Sequence, residues 1–351
     1  MLYNEFKKGF LYLSKSVGLF RLSRYLTRKG LRIICYHGFA LDNESKFRSQ
    51  LFMECETLQR RLSFLRAKKF PVLTLHEALV ELENGALPDC TTVITIDDGF
   101  YGVYKNACEL LENFSFPATI YVSTYYCVKE SPIFRLVVQY MLWKTSMQNI
   151  DLSELNCGFS GKVALKDDEK KNKTIWAIIR FGEENCDEQQ RVDLEGRLGR
   201  SLGVDFDSIC QNRILSLMNP SEITSLKKRG FDIQLHTHRH CLPLEKSKVI
   251  KEILDNRSVL KPLVGNHLEH LCYPSGVWSR KLWPWLEEAN INTAVTCEPG
   301  FNYSKTPRFA LKRFLDGENI SQIEFEAEMT GYNELLRKAK KCLQSIFSSE
   351  S

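Results

Sequence analysis

Two adjacent carboxylates, Asp97 and Asp98, directly follow an apolar stretch at residues 92–96 and precede Gly99. The β-branched residues of that stretch predict a buried parallel strand, and Gly99 allows a sharp exit from it. Because neighbouring residues of a strand point to opposite faces, we expect the two carboxylates to take different roles. Metal, hydrogen bonds or solvent must satisfy them. The alternative interpretation is a strand that ends in a solvated turn.

Three histidines fall within residues 236–240, immediately after a second strand-like stretch at residues 231–235. Neutral imidazole is a common metal ligand, and a catalytic metal typically has three protein ligands and an open position. His236 and His240 together with Asp98 would form a two-histidine, one-carboxylate site, which suits zinc, iron, cobalt or manganese. A solvated polar loop is the alternative, but the pairing with the Asp97–Asp98 strand end favours a metal site.

Strand-like stretches alternate with helical periodicity on both sides of a central region. Strands are predicted at residues 31–36, 71–75, 92–96 and 117–122, with a helix over 47–68, and the alternation resumes from about residue 219 to 314. This pattern predicts a parallel α/β sheet or barrel. Between about 125 and 218 the alternation breaks down, which we interpret as a helical insertion beside the site. His37 follows the first strand, at the kind of position where α/β folds place their chemistry; a structural role is the other interpretation.

Composition narrows the class of protein. The 351 residues are 43% hydrophobic and 26% charged, which is typical of a soluble globular protein. The net charge of +5 is mild and the charges are interspersed, so nucleic acid is not an expected partner. Twelve scattered cysteines without a C-x-x-C pair favour a reducing compartment. With no run of about 18 apolar residues and no signal-peptide pattern, the expected location is the cytoplasm.

The two ends of the chain are predicted to be helical. Residues 1–29 form an amphipathic segment with seven lysines and arginines against the single acid Glu5. Its apolar stripe comprises Leu2, Phe6, Phe10, Leu13, Val17 and Phe20. One interpretation is contact with an anionic membrane surface; the other is a helix packed on the domain, with Phe6, Phe10 and Phe20 buried. The barrel domain is predicted over residues 30–325, and a C-terminal helix over 326–351.

These motifs together resemble the polysaccharide deacetylase family, carbohydrate esterase family 4. Residues 94–99 are similar to the family's T-F-D-D-G motif, and residues 236–240 to its H-S/T-x-x-H motif. The similarity runs from about residue 32 to 316 and includes Tyr36-His37-Gly38 and Tyr273-Pro274-Ser275-Gly276. The resemblance implies a distorted, incomplete (β/α) barrel. It also implies hydrolysis of N-acyl groups, usually on N-acetylhexosamine, with one divalent metal ion: zinc first, with cobalt, manganese, nickel or iron as alternatives.

The resemblance assigns roles to the paired motifs. Asp97 matches the family's catalytic base, Asp98 its carboxylate ligand, and His236 and His240 its two metal-binding histidines. His238 matches a variable position and is left out of the metal shell. Thr237 is expected to hold the histidines by hydrogen bonding.

The sequence departs from the family pattern at two places. Cys272 stands where the R-x-P-Y motif has its arginine, within residues 272–275, and Arg313 is the candidate to replace that guanidinium beside Asp97. Tyr273 and Ser275 belong to the same motif, and the Ser275 backbone N–H is the candidate oxyanion donor. Residues 311–313 lack the histidine of the family's L-x-H motif. In a branch whose domains begin with Tyr-His, the early histidine takes over as general acid, which here is His37.

The leading hypothesis is therefore a metal-dependent enzyme that removes an N-acyl group, acetyl above all, from an amino sugar or glycan. One expected form of the substrate is lipid-linked, in polysaccharide or exopolysaccharide biosynthesis on the cytoplasmic face of a membrane. Two alternatives remain open. One is an inactive homologue that binds carbohydrate or acts as a scaffold, and the other is a deformylase-type C–N hydrolase.

Overall fold

A curled parallel sheet forms the centre of the protein. The computed structural model describes residues 2–348, with side chains for residues 5–344. Met1, the side chain of Leu2 and residues 349–351 of the predicted C-terminal helix thus lie outside the described residues. The strands are β1 (Arg32–Tyr36), β2 (Gly38–Phe39), β3 (Phe52–Met53), β4 (Thr92–Ile96), β5 (Thr119–Val122), β6 (Asn149–Asp151), β7 (Lys162–Ala164), β8 (Asp232–Leu235), β9 (His270–Cys272), β10 (Thr293–Val295) and β11 (Phe314–Leu315).

Helices surround this sheet. They are α1 (Leu2–Ser16), α2 (Leu19–Leu26), α3 (Glu44–Phe47), α4 (Cys55–Ala67), α5 (Leu75–Glu83), α6 (Cys108–Asn113), α7 (Tyr125–Lys129), α8 (Phe134–Lys144), α9 (Asp168–Asn185), α10 (Glu188–Leu202), α11 (Phe206–Gln211), α12 (Pro220–Lys228), α13 (Lys246–Val264), α14 (Trp283–Glu288), α15 (Gln322–Met329) and α16 (Tyr332–Ser348).

The main sheet has the strand order β10-β9-β8-β5-β4-β1-β11, and all its strand pairs are parallel. β1 and β4 pair over five residues, from Arg32 opposite Thr92 to Tyr36 opposite Ile96. The segment before β11 also forms a parallel bridge between Leu311 and Val295 of β10, so the two edges of the sheet approach each other. The predicted distorted, incomplete (β/α) barrel is confirmed.

The two faces of the sheet contribute to different hydrophobic clusters. Ile34 and Ile94 face the large cluster under the outer helices, whereas Ile33 and Val93 face a smaller cluster inside the curl. This alternation is the period of two of a β-strand. The inner cluster also contains Leu75 of α5, so this helix covers the interior of the curl.

Two predicted elements differ from the structure. The helix expected over residues 47–68 begins only at Cys55, because residues 48–54 form a turn and strand β3, which pairs with β2. The strand expected at 71–75 is reduced to a single bridge between Val72 and Thr92. There the capping box of Thr74 and Glu77 starts α5, and this local hydrogen bonding outweighs the β-propensity of the preceding residues.

The region between about 125 and 218 is the predicted helical insertion. It contains α7 to α11 and a short antiparallel hairpin of β6 and β7. The buried side chains of α8 join the main hydrophobic cluster, and so do those of α9 and α10. The insertion is therefore packed on the barrel as part of one core.

The terminal helices contact one another. Leu11 and Phe20 pack with Tyr332 in a separate small cluster. Phe6 and Phe10, by contrast, are exposed, so the interpretation in which both are buried in the fold is wrong for these two residues. No described helix combines the length and the apolar character needed to cross a bilayer.

Candidate metal centre and catalytic cleft

The predicted site residues lie at the carboxyl ends of neighbouring parallel strands. Asp97 and Asp98 follow β4, and His236 follows β8, which is separated from β4 by β5 alone. Tyr273 follows β9, the next strand. Because parallel strands end at the same edge of the sheet, this topology brings Asp98 and His236, which are 138 positions apart in sequence, to one place, as α/β folds commonly do.

Asp98, His236 and His240 form a compact group of metal-ligand atoms. The Asp98 Oδ1 atom lies 3.1 Å from His236 Nε2 and 3.2 Å from His240 Nε2. Burial opposes ionisation of Asp98, but the two imidazoles beside it hold its pKa well below its usual range. The pKa of His240 is raised, because the Asp98 carboxylate outweighs the effect of burial.

The donor set fits a divalent cation. His236 Nδ1 lies 2.9 Å from the Cys272 carbonyl oxygen, which can only accept, so Nδ1 carries the proton. In the neutral ring the lone pair is then on Nε2, which faces a carboxylate oxygen that is also an acceptor. A cation held by these acceptor atoms would remove their repulsion. The hydrogen bond to the Cys272 carbonyl fixes the His236 ring, as in many metal sites.

Side chains of α13 hold the loop of residues 236–240, called the histidine loop below, and sequence reasoning missed them. The buried Asn256 accepts a hydrogen bond from the His236 backbone N–H at 3.0 Å and donates to the Val122 carbonyl and to Thr124 Oγ1. Glu252, one turn earlier, accepts from the Arg239 backbone N–H. The available signal was a pair of polar residues spaced by four on the otherwise apolar buried face of α13.

Within the loop itself, Thr237 Oγ1 accepts a hydrogen bond from the Cys241 backbone N–H at 3.1 Å, which closes the turn that carries His240. His238 is directed elsewhere: its Nδ1 lies 2.9 Å from Thr124 Oγ1, and its ring meets Tyr125 edge to face. It contributes no atom to the group formed by Asp98, His236 and His240.

Asp97 faces the interior of the curl, where it pairs with Arg313. The Arg313 guanidinium donates to both carboxylate oxygens of Asp97 at 2.7 Å, and both side chains are almost completely buried. The thiols of Cys35 and Cys272 lie 3.3 and 3.2 Å from Asp97 Oδ2. Burial alone would raise the pKa of Asp97, but the Arg313 charge and hydrogen bonds hold it below its usual range. Arg313 thus lies where the missing arginine of the motif would be needed.

His37 lies beside this pair, on the wall of the cleft. Its Nε2 atom is 3.8 Å from Asp97 Oδ2, and 18% of the side chain is exposed. It therefore has access both to the buried carboxylate and to a molecule in the cleft.

The turn after β9 carries the two remaining predicted residues. Ser275 lies in a short 3₁₀ turn at Pro274–Gly276, adjoins the cleft and has a positive φ of 56°. The Tyr273 hydroxyl donates to the Phe309 carbonyl at 3.0 Å, so the phenol group has a structural partner inside the fold. Burial raises the pKa of Tyr273.

Left-handed backbone conformations concentrate at the site. Asp98, Thr237, His240 and Ser275 all have φ between 53° and 68°. Such conformations cost non-glycine residues about 1 kcal/mol or more each and cluster at functional sites, where the surrounding fold imposes them. Here they aim the Asp98 and His240 side chains at one point.

A cleft of about 390 Å³ opens over the group of metal-ligand atoms. The barrel contributes its floor, and the insertion contributes part of its wall. The lining residues from the insertion include Tyr125, Tyr126, Arg135, Gln139 and Trp176. The insertion thus lies beside the site, as the sequence predicts.

Comparison with known proteins agrees with this architecture. The family model described as "Polysaccharide deacetylase" matches residues 183–294. That range includes the histidine loop and the turn after β9, but neither Asp98 nor Arg313. No match was found among curated proteins.

Several solved structures share the fold. The Streptococcus pyogenes deacetylase PplD in complex with acetate has a TM-score of 0.55 at 16% identity, over 86% of this chain and 99% of that one. IcaB from Ammonifex degensii has a TM-score of 0.54 at 16% identity, over 86% of this chain and 97% of that one. A de-N-acetylase from Aggregatibacter actinomycetemcomitans has a TM-score of 0.53 at 11% identity, over 85% of this chain and 99% of that one.

Over residues 183–294 the chain is therefore similar to the polysaccharide deacetylase family model, and it shares the incomplete barrel fold of the solved deacetylase structures. The family resemblance predicted from the Asp97–Asp98 and His236–His240 motifs is confirmed by the family model and by the fold.

Proposed function

We propose that this protein is a metal-dependent hydrolase that removes an N-acyl group, acetyl above all, from an amino sugar of a polysaccharide or glycan. The observation that carries the proposal is the convergence of Asp98, His236 and His240 on one point of the cleft. Three protein ligands leave coordination positions for water and substrate. Asp98, His236 and His240 would hold a divalent cation, which would acidify a bound water and polarise the acyl carbonyl.

Asp97 is the proposed proton acceptor for the attacking water. Its bidentate pairing with Arg313 keeps it ionised and fixes its orientation. The same pairing lowers the basicity of the carboxylate, so Asp97 relies on the acidity of the water rather than on its own proton affinity. Arg313 is then a positioning residue that acts through Asp97.

His37 and Ser275 complete the proposed chemistry. Attack of water on the acyl carbon gives a tetrahedral intermediate, and breaking its C–N bond requires a proton on the leaving nitrogen. His37 lies on the cleft wall near Asp97 and is the proposed donor of that proton. The Ser275 backbone N–H is the proposed hydrogen-bond donor to the oxyanion.

The lining of the cleft supports a sugar substrate. Tyr125, Tyr126 and Trp176 give it aromatic surfaces, and Arg48 and Gln139 give it polar groups that can bind hydroxyls. The similar fold of a deacetylase in complex with acetate supports acetyl as the acyl group.

The finer parts of the proposal concern the metal, the pathway and the location. We propose zinc as the metal, because two histidines and one carboxylate suit it. We propose a role in polysaccharide or exopolysaccharide biosynthesis, with a lipid-linked amino sugar as one substrate form. A cytoplasmic location is supported by the twelve cysteines, none of which forms a disulfide within the described residues.

Two other functions are distinguished by specific outcomes. An inactive homologue that binds carbohydrate or acts as a scaffold was suggested by Cys272 at the motif arginine position. The pairing of Arg313 with Asp97 weighs against it, since the carboxylate has a guanidinium partner after all. A deformylase-type hydrolase would use the same metal ligands on a smaller acyl group.

The test is a release assay on a panel of N-acetylhexosamine oligomers and lipid-linked N-acetylated and N-formylated amino sugars, with different metals added to the purified protein. We expect metal-dependent acetate release from at least one substrate. Formate release without acetate release would support the deformylase. Binding of the sugars without release of either acid, at any metal, would support the inactive homologue.

A further inference from the structure

The first two helices are attached to the barrel by one face only. Leu11 and Ser14 of α1 are buried, as are Phe20 and Ser23 of α2. The Ser14 hydroxyl lies 3.0 Å from the Tyr332 hydroxyl in a hydrogen bond. Lys7 and Lys15 form ion pairs with Glu324 and Glu326 of α15. This polar and apolar anchoring determines which faces of α1 and α2 remain exposed.

The exposed faces are strongly apolar. We define the docking face as the side chains at spacings of three and four that point away from the anchor. It comprises Phe6, Phe10 and Leu13 of α1, Val17 in the turn that follows, and Leu19, Leu22 and Leu26 of α2. Each of these side chains is between 39% and 77% exposed.

Exposed large hydrophobic side chains are concentrated in the segment of the first two helices. Of the 21 large hydrophobic residues exposed in the described part of the chain, nine lie between Phe6 and Leu26. Isolated exposed apolar residues need no explanation, but a contiguous set indicates an interaction site. Two neighbouring helices with one apolar face each are the form that interfacial membrane-binding segments take.

A cationic cleft adjoins the two helices and indicates the partner. It has a volume of about 470 Å³ and is lined by Lys15, Arg21, Arg24 and Lys68 among others. Its one acidic lining residue, Glu326, is paired with Lys15. Within the described residues, Arg21 and Lys68 have no carboxylate within 4.0 Å. The cleft therefore carries unneutralised positive charge next to the docking face.

The side chain of Arg24 is held in place at this cleft. It donates to the Lys68 carbonyl at 2.8 Å and lies over the Phe70 ring at 4.4 Å. Its contacts are thus a carbonyl, a thiol and an aromatic ring, none of which cancels its charge. A guanidinium fixed in this way is suited to a phosphate oxygen.

We propose that the docking face inserts into the interface of an anionic lipid bilayer and that the cationic cleft binds lipid phosphate headgroups. Apolar side chains and a basic site together supply the two signals that stable interfacial binding requires. A second copy of the chain would explain the apolar side chains, but it would not explain the charge beside them. The proposal concerns the attachment of the protein and does not depend on the hydrolase reaction.

The test is co-sedimentation of the full chain with vesicles of phosphatidylcholine alone and of phosphatidylcholine mixed with phosphatidylglycerol. The apolar variant is Phe10→Gln/Leu13→Gln, and its matched control is Leu254→Gln, at a similarly exposed leucine of α13. We expect the wild type to bind the anionic vesicles and this binding to weaken with salt. The apolar variant should bind at least tenfold more weakly than the wild type, and the control should bind as the wild type does.

The charge variant is Arg21→Gln/Lys68→Gln, which should bind anionic vesicles more weakly by about fivefold for each charge removed. Thermal unfolding and acetate release from a soluble substrate should be unchanged in all variants, because the replaced side chains are outside the anchor and the catalytic cleft. Failure of the wild type to bind anionic vesicles at low salt would overturn the proposal. So would a wild-type dimer that the apolar variant dissociates without any change in vesicle binding.

Discussion

Replacement of Arg313 tests whether its guanidinium is the partner of Asp97. Arg313 is completely buried and donates to both Asp97 oxygens, to the Thr296 carbonyl at 2.9 Å and to Thr95 Oγ1 at 3.1 Å. Arg313→Met keeps an apolar stem but leaves a buried carboxylate without its cation. Removing one partner of a buried pair typically costs about 3–5 kcal/mol, so the free energy of unfolding should fall by at least about 3 kcal/mol.

The assay is urea unfolding followed by tryptophan fluorescence, with a chelator present so that no cation compensates Asp97. The matched control is Arg308→Met, which removes an exposed arginine paired with Glu287. It should lower the free energy of unfolding by less than about 1 kcal/mol. Asp97→Asn should destabilise the wild type but partly restore Arg313→Met, because it removes the unpaired charge. The pairing would be refuted if the effects of Asp97→Asn and Arg313→Met on the free energy of unfolding were strictly additive. It would also be refuted if Arg313→Met lowered that free energy as little as the control does.

The remaining predictions concern the metal, the base and the loop. His236→Ala should lower bound metal and activity together, whereas His238→Ala should keep the metal; full metal content of His236→Ala by mass spectrometry would contradict the ligand assignment. Asp97→Asn should retain metal but lose turnover by roughly a hundredfold or more, and near-normal turnover on a verified substrate would move the base elsewhere. Asn256→Ala should leave the His236 backbone N–H unsatisfied. It should therefore lower the free energy of unfolding by about 1–3 kcal/mol and weaken metal affinity. Unchanged affinity in a metal titration would show that the loop is held by other contacts.

The proximity of Asp98, His236 and His240 was predictable because parallel sheets follow a simple rule. Once residues 92–96 and 231–235 are identified as strands, their polar ends must lie at the same edge of the sheet. The sequence therefore indicates Asp98, His236 and His240 without any knowledge of distances. The structure adds the tautomer of His236, because the position of the Cys272 carbonyl depends on how β8 and β9 are paired.

The support around the site was less predictable. Asn256 and Glu252 lie on a helix 16 or more residues beyond His236, and nothing in the local sequence identifies their partners. The Arg313–Asp97 contact was proposed only because the family resemblance left one guanidinium unaccounted for. The two thiols beside Asp97 were not predicted, since buried cysteines are usually simple apolar residues.

Local periodicity failed where the chain turns before a helix. Residues 47–68 contain apolar spacing typical of a helix, yet the start of the range forms β3 beside β2. At 71–75 the β-branched and apolar residues lead into α5. In both places hydrogen bonding to a neighbouring segment or a cap decided the outcome, and neither is visible in a hydrophobic pattern.

The measurement that tests the central claim most directly is acetate release during stepwise reloading of metal-free protein with zinc. Activity of the wild type should rise in proportion to bound metal up to one equivalent per chain. The Asp97→Asn variant should bind the same equivalent and remain nearly inactive. Acetate release by the metal-free wild type that equals release by the zinc-loaded wild type would contradict a metal at Asp98, His236 and His240. An Asp97→Asn variant that gains full activity with zinc would contradict Asp97 as the proton acceptor.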